Sequence, residues 1–229
     1  MIKNILLDLD NTIFDFNRAE RSALEIMLIH FGVTPNEKML CRYSEINSSQ
    51  WKLFEKNLIT IDEIKIRRYE IFFKELGLQI SPESATAYYE KILSTKYYFT
   101  DGAQEALEEL CKNHSLYAAT NGTPHVQHGR IDGSGIGKYF KNFFISGEIG
   151  HSKPSREFFE YCFEHMENFK LSETVIIGDS LSSDIKGGAN SGIATIWFNP
   201  QKVENLSDVN PDYEIEKLSD ITKTLKMLS

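Results

Sequence analysis

A helix that crosses a bilayer needs about 20 consecutive apolar residues, and no run in this sequence approaches that length. The start, MIKNILLDLD, turns acidic too early to resemble a secretory leader. Cysteine is scarce. Cys41, Cys111 and Cys162 are odd in number and far apart, which argues against a disulfide framework and for reduced thiols in a cytoplasmic protein. Repeats and low-complexity tracts are missing. So is any basic excess: 25 Lys and Arg stand against 33 Asp and Glu, a net charge of -8. That balance speaks against a nucleic-acid groove or an anionic membrane surface. There is no GxxxxGK[ST] phosphate loop and no GxSxG serine elbow. The six histidines are scattered, and His125 with His128 supplies only two nitrogen donors, too few for a zinc site.

What is present begins with DLDNT, Asp8 to Thr12, directly after the apolar run Ile5-Leu6-Leu7. Residues 2–7 read as a strand apolar on both faces, as in a parallel sheet covered by helices on each side. Similar runs recur at 116–119, 143–145, 175–177 and 193–198, with helical patterns near 103–113, 125–141, 156–166 and 183–190 between them. The alternation predicts an α/β doubly wound parallel sheet. From about 15 to 98 that rhythm stops, and helix starts replace strands. TPNE (Thr34 to Glu37) and TIDE (Thr60 to Glu63) read as capped helix starts, and Ser81-Pro82-Glu83 places proline just inside another. Ala19, Ala23 and Met27, with Leu24, Leu28 and Phe31, fall at helical spacing. A helical insert after the first strand follows. The tail from Pro200 to Pro211 reads as loop, with Val203 and Leu206 available for packing, and 214–228 as a last amphipathic helix.

The polar residues collect at the C-terminal ends of the expected strands, the edge where open α/β sheets bind ligands. Asp8 and Asp10 follow the first strand, Thr120 and Asn121 the second, and Asp179 the strand near 175, with Asp184 five residues later. Lys153 precedes a helix that leads to that strand. Any one of these aspartates alone suits a turn or a helix cap. Together their carboxylates would converge and repel, which raises pKa values or demands a cation. Oxygen ligands select a hard divalent ion, Mg²⁺ above all. A cation, a lysine and a hydroxyl in one crevice suit a phosphate group. Asp8 is placed to attack phosphorus and form an aspartyl-phosphate. Asp10, two residues on, could protonate the leaving oxygen and then activate water, while its backbone carbonyl joins the metal.

These residues carry a resemblance. DLDNT at 8–12, the strand ending in Thr120, Lys153 followed by Pro154, and GDSLSSD at 178–184 resemble, in order and spacing, the four motifs of the haloacid dehalogenase superfamily of phosphatases. The resemblance implies a catalytic core of 1–14 and 99–229 with a Rossmann-like sheet, and an all-helical cap of 15–98. It implies Asp8 as nucleophile, Asp10 as acid/base, Thr120 and Lys153 as phosphate holders, and Asp8, Asp10, Asp179 and Asp184 around Mg²⁺. Hinges are expected near 14–17 and 97–101. Softer features are similar to the pyrimidine 5'-nucleotidase branch, which acts on UMP, dUMP, dTMP and some noncanonical pyrimidine nucleotides. They are Phe14-Asp15-Phe16, the insert stretch Ile46 to Thr60, and Ile145 to Pro154. Gly147 departs from that pattern, standing where many relatives are acidic.

For a nucleotide, Phe16, Trp51, Phe54 and Tyr69 offer aromatic faces. Asn47 and Gln50 could read a base edge, and Arg67 or Arg68 could reach the ligand. Asn121 would join Thr120 and Lys153 at the phosphate. The expected partner is a small phosphorylated molecule, with no nucleic acid or membrane, and the chain a monomer or small homo-oligomer. Sugar-phosphate or phosphoglycolate hydrolysis, and β-phosphoglucomutase-like phosphomutase activity, use the same four motifs and stay open. A haloacid dehalogenase lacks the second aspartate, present here as Asp10. A signalling receiver is shorter and has no insert.

Overall fold

The computed structural model describes residues 1–56 and 58–228. Asn57, inside the 46–60 stretch, and Ser229 lie outside the described residues. The described chain forms two compact units, one of Met1–Asp15 with the chain from Tyr98 onward, the other of Phe16–Tyr97.

The first unit holds a six-stranded parallel sheet of β1 (Asn4–Leu7), β2 (Ser115–Thr120), β3 (Phe140–Ile145), β4 (Thr174–Gly178), β5 (Ala194–Phe198) and β6 (Tyr213–Ile215). Their spatial order is β3-β2-β1-β4-β5-β6. β1 is central, and the chain leaves it on one side for β2 and returns on the other as β4. That reversal is the switch point at which open α/β sheets place ligands. Register fixes the levels: Leu7 pairs with Ala118 on one side and Ile177 on the other. Asp8, Thr120 and Asp179 therefore leave neighbouring strands at the same edge.

All four residues of β1 are buried. Alternation sends Ile5 and Leu7 to one face, where they join Val175, Ile177, Ile196, Ile131 and Ile221. Leu6 and Ile176 point to the other face, with Phe158, Phe159 and Cys162 of the helix Arg156–Glu164. Each fully buried Leu, Ile or Phe contributes about 1.5–3 kcal/mol. A sheet apolar on both faces is thus the sequence signal and the stabilising core at once.

The second unit is four helices: α1 (Phe16–His30), α2 (Glu37–Glu55), α3 (Ile61–Leu76) and α4 (Pro82–Leu93). The capping box Thr60/Glu63 forms in full, and Ser81 caps α4 with Pro82 at its start. α2 differs from expectation. Asn36, not Thr34, accepts the Met39 N–H, so the helix opens two residues late. The core unit carries α5 (Ala103–Leu110), α6 (Pro124–Ser134), α7 (Ser146–Ile149), α8 (Arg156–Glu164), α9 (Lys186–Asn190) and α10 (Ile221–Leu225). The end of the chain corrects a second expectation. Tyr213–Ile215 is an edge strand beside β5, and the closing helix shrinks to α10. Val203 and Leu206 are exposed rather than packed.

Candidate active site

β1 delivers Asp8 at its end, with the Asp8 N–H donated to the Ile177 carbonyl at 2.9 Å, so the strand ladder holds the residue that follows it. The next turn needs a left-handed residue, and Asn11 provides it at φ 62°; Asn tolerates that region better than most side chains. β4 delivers Asp179, whose carbonyl accepts the Trp197 indole N–H at 2.8 Å. A π-turn at Leu181–Ile185 then brings Asp184 back beneath the strand end. Its Oδ2 accepts the Ser180 N–H at 3.0 Å. Gly178 permits this return, because a Cβ there would lie 2.2 Å from Asp184 Oδ2.

Lys153 is the bolt of the site. Its Nζ donates to Asp8 Oδ1 at 2.6 Å, to Asp184 Oδ1 at 2.6 Å and to the Ala119 carbonyl at 2.5 Å. All three ammonium protons are engaged. Asn121 fixes the backbone beneath it: its Nδ2 donates to the Lys153 carbonyl and its Oδ1 accepts the Lys153 N–H, both at 2.9 Å. Both ends of the Asn121 amide thus hold the Lys153 backbone.

Ligand atoms of Asp8, Asp179 and Asp184 lie within 4.8 Å of one another, the metal-type cluster found among the described residues. Burial is the main force on the protonation of Asp8 and Asp179. It pushes Asp8 up to about 7, with Asp184 and Asp10 adding repulsion and Lys153 pulling the other way. Burial, then Asp8 and Asp184, hold Asp179 well above the usual carboxylate range. For Lys153, burial works against the charge, but Asp184 and Asp8 outweigh it and keep the ammonium form. Asp8 Oδ2 is buried with no hydrogen-bond partner among the described residues. Three carboxylates against one ammonium, an orphaned buried oxygen and an all-oxygen donor set fit a hard divalent cation.

The Asp10 carboxylate is not one of the three clustered groups. It turns to α6, where Gln127 Nε2 donates to Oδ2 at 2.9 Å and Arg130 Nη1 donates to Oδ1. Thr120 Oγ1, at the end of β2, accepts from Gln127 Nε2 at 2.7 Å. Sequence reasoning missed Gln127 and Arg130. The signal was available: they share the spacing of Val126 and Ile131 on a face that α6 buries.

In the helical unit, Asn47 is buried, donating to Glu20 at 2.6 Å and accepting from Arg68 at 3.1 Å. Trp51 is half-buried, edge-on to Phe54. Phe16 is half-buried at the start of α1. Of the two adjacent arginines, Arg67 is exposed and Arg68 buried. Gly147 lies in α7 with Pro124 against it; a Cβ there would meet Pro124 Cδ at 2.7 Å, which leaves no room for a side chain unless the proline shifts.

The family profile for haloacid dehalogenase-like hydrolases matches residues 2–192. The chain is 35% identical to the HAD-hydrolase YfnB of Bacillus subtilis over 98% of its own length and 96% of the relative's. A crystal structure of YfnB bound to magnesium superposes with a TM-score of 0.94, covering 98% of both chains. The pyrimidine 5'-nucleotidase PynA of Streptococcus pneumoniae is 35% identical over 97% of this chain and 94% of its own. The glyceraldehyde 3-phosphate phosphatase of Pyrococcus abyssi is 29% identical over 99% of this chain and 94% of its own. A parallel α/β core with an inserted all-helical cap, a carboxylate cluster at the switch point and matches along nearly the whole chain lead to one assignment: the protein belongs to the haloacid dehalogenase-like hydrolases and is related to their pyrimidine 5'-nucleotidase branch.

Proposed function

We propose that the chain is a Mg²⁺-dependent phosphomonoester hydrolase that works through an aspartyl-phosphate on Asp8 and prefers pyrimidine nucleoside 5'-monophosphates. The observation that carries the chemistry is Lys153 locked between Asp8 and Asp184, with Asp179 beside them. An Asp8 carboxylate oxygen attacks phosphorus, the P–O ester bond breaks, and Asp10 gives the departing alkoxide its proton. Water then attacks the phosphorus of the acyl phosphate, Asp10 takes the water proton, and the bond to Asp8 breaks to release inorganic phosphate. Asp8, Asp179, Asp184 and the backbone carbonyl of Asp10 would hold the magnesium ion, which supplies positive charge to offset the carboxylates and the phosphoryl oxygens. Lys153 keeps Asp8 turned toward one approach, and Thr120 offers its hydroxyl to a phosphoryl oxygen.

The pyrimidine preference rests on PynA, whose name states that activity, and on the similarity through the insert. The Pyrococcus abyssi relative supports a second reading, a small phosphorylated aldehyde or sugar. Initial rates with UMP, dUMP, dTMP, purine monophosphates, phosphoglycolate, glyceraldehyde 3-phosphate and hexose phosphates separate the two. Preference for the pyrimidine nucleotides supports the reading, and a tenfold lead for sugar phosphates replaces the substrate but keeps the chemistry. Asp8→Asn is expected to lower kcat by about 10⁴-fold or more while the melting temperature stays near wild type. Retained turnover would sink the covalent route.

A further inference from the structure

Gln127 and Arg130 sit one turn apart on α6, both completely buried. An arginine at zero exposure, with no place in the chemistry above, needs a reason, because burying a guanidinium without use is costly. Arg130 Nη1 donates to Asp10 Oδ1 and to Gln127 Oε1, the latter at 3.0 Å, and the guanidinium lies 4.7 Å over the Phe14 ring. Arginine only donates, so the Gln127 oxygen must face Arg130 and its NH₂ must face Asp10. That NH₂ bridges Asp10 Oδ2 at 2.9 Å and Thr120 Oγ1 at 2.7 Å. Thr120 Oγ1 also accepts the Gly122 N–H at 3.1 Å. With two donors on its oxygen, the hydroxyl proton of Thr120 is left to donate outward.

We propose that Gln127 and Arg130 are positioning residues, a two-residue clamp on α6 that sets the Asp10 carboxylate and, through the same Gln127 amide, aims the Thr120 hydroxyl. The clamp rests on the reading of Asp10 as acid/base and deepens it. Both carboxylate oxygens of Asp10 are gripped from the α6 side, so its rotation is fixed before substrate arrives. Such preorganisation matters because a displacement of about 1 Å can cost 10²-fold in rate. Gly122 belongs to the arrangement: a Cβ there would stand 2.4 Å from Gln127 Nε2, so any side chain at 122 expels the amide.

The test is a double-mutant cycle on kcat for p-nitrophenyl phosphate with saturating magnesium, using Arg130→Met and Asp10→Asn. A positioning residue acts through its client, so its effect vanishes once the client is gone. Arg130→Met is expected to lower kcat about 30-fold in the wild-type background and less than about threefold beside Asp10→Asn, with Arg130→Lys recovering part of the loss. Gln127→Met and Gly122→Ala, milder for folding, are expected to reproduce the loss and raise KM as well, because they also release Thr120. Thermal melts check that each variant is folded; should Arg130→Met unfold, Gln127→Met takes its place in the cycle. Equal losses in both backgrounds, or no loss in the wild-type background, overturn the clamp. Asp10→Asn with full activity overturns the role of Asp10 itself, and the clamp with it.

Discussion

Both units bury charge, and they do so in opposite ways. In the core, Asp8, Asp179 and Asp184 face one another with Lys153 as their single buried ammonium. In the helical unit, Glu20, Asn47 and Arg68 run acid, amide, base, and the guanidinium lies 5.1 Å and 4.9 Å from the Tyr69 and Tyr89 rings. In the helical chain of contacts one acid is matched with one base through a shared amide. The core cluster is not neutral and asks for a cation. Charge imbalance thus separates a site for chemistry from a polar strut in a packed interior.

Four changes would break or sharpen this contrast. The largest effect is expected from Gly178→Ala, which drives a methyl into Asp184. Activity should fall about 100-fold, and the magnesium needed for half-maximal rate should rise about tenfold. An unchanged magnesium titration would show that the cluster tolerates displacement. Next is Arg68→Met, which leaves Glu20 buried with no cation, beside Ser44 and Asn47; unfolding in urea should show a loss of about 3 kcal/mol, whereas a loss under 1 kcal/mol would make the strut dispensable.

Glu20 offers a third measurement. Burial raises its pKa above the ordinary 4.5, against the pull of Ser44, Arg68 and Asn47. A carboxyl raised on folding adds stability below its unfolded pKa and loses it as pH climbs through the folded value. Glu20→Gln should therefore gain on wild type as pH rises from about 4.5 toward neutrality, read from melting temperatures across that range. A gap that narrows with rising pH would reverse the assignment. The smallest effect is that of Thr60→Ala, which opens the capping box of α3 and should cost about 1 kcal/mol.

The parallel core was legible because β1, β2 and β4 are apolar on both faces and end in acid or hydroxyl residues at one edge. Asp8, Asp179, Asp184 and Lys153 were legible for the same reason: strand ends share an edge whatever the details of packing. What escaped was set by contacts distant in sequence. Tyr213–Ile215 alternates too briefly to outweigh the helical pattern around it, and only the open edge of β5 makes it a strand. Spacing could not choose between Arg67 and Arg68, because the phase of α3 depends on which face Tyr69 and Phe72 bury. Asn121 reads as a plain turn residue until Lys153, 32 positions later, is seen clasped by its amide.

The chain leaves the core near Asp15 and rejoins it at Tyr98 with its two passing segments stitched together. The Asp15 N–H reaches the Tyr98 carbonyl at 2.8 Å, the Thr100 N–H reaches the Ile13 carbonyl at 3.1 Å, and the Phe14 and Phe99 rings lie 5.5 Å apart. The core itself fixes the ends of the detour, and loop-closure entropy grows only slowly with the length between fixed ends. Mutation can therefore lengthen, shorten or replace the intervening helices with little penalty to the sheet. Insertions and deletions between Asp15 and Tyr98 are thus expected to leave the strand ends, and the carboxylates they carry, in place.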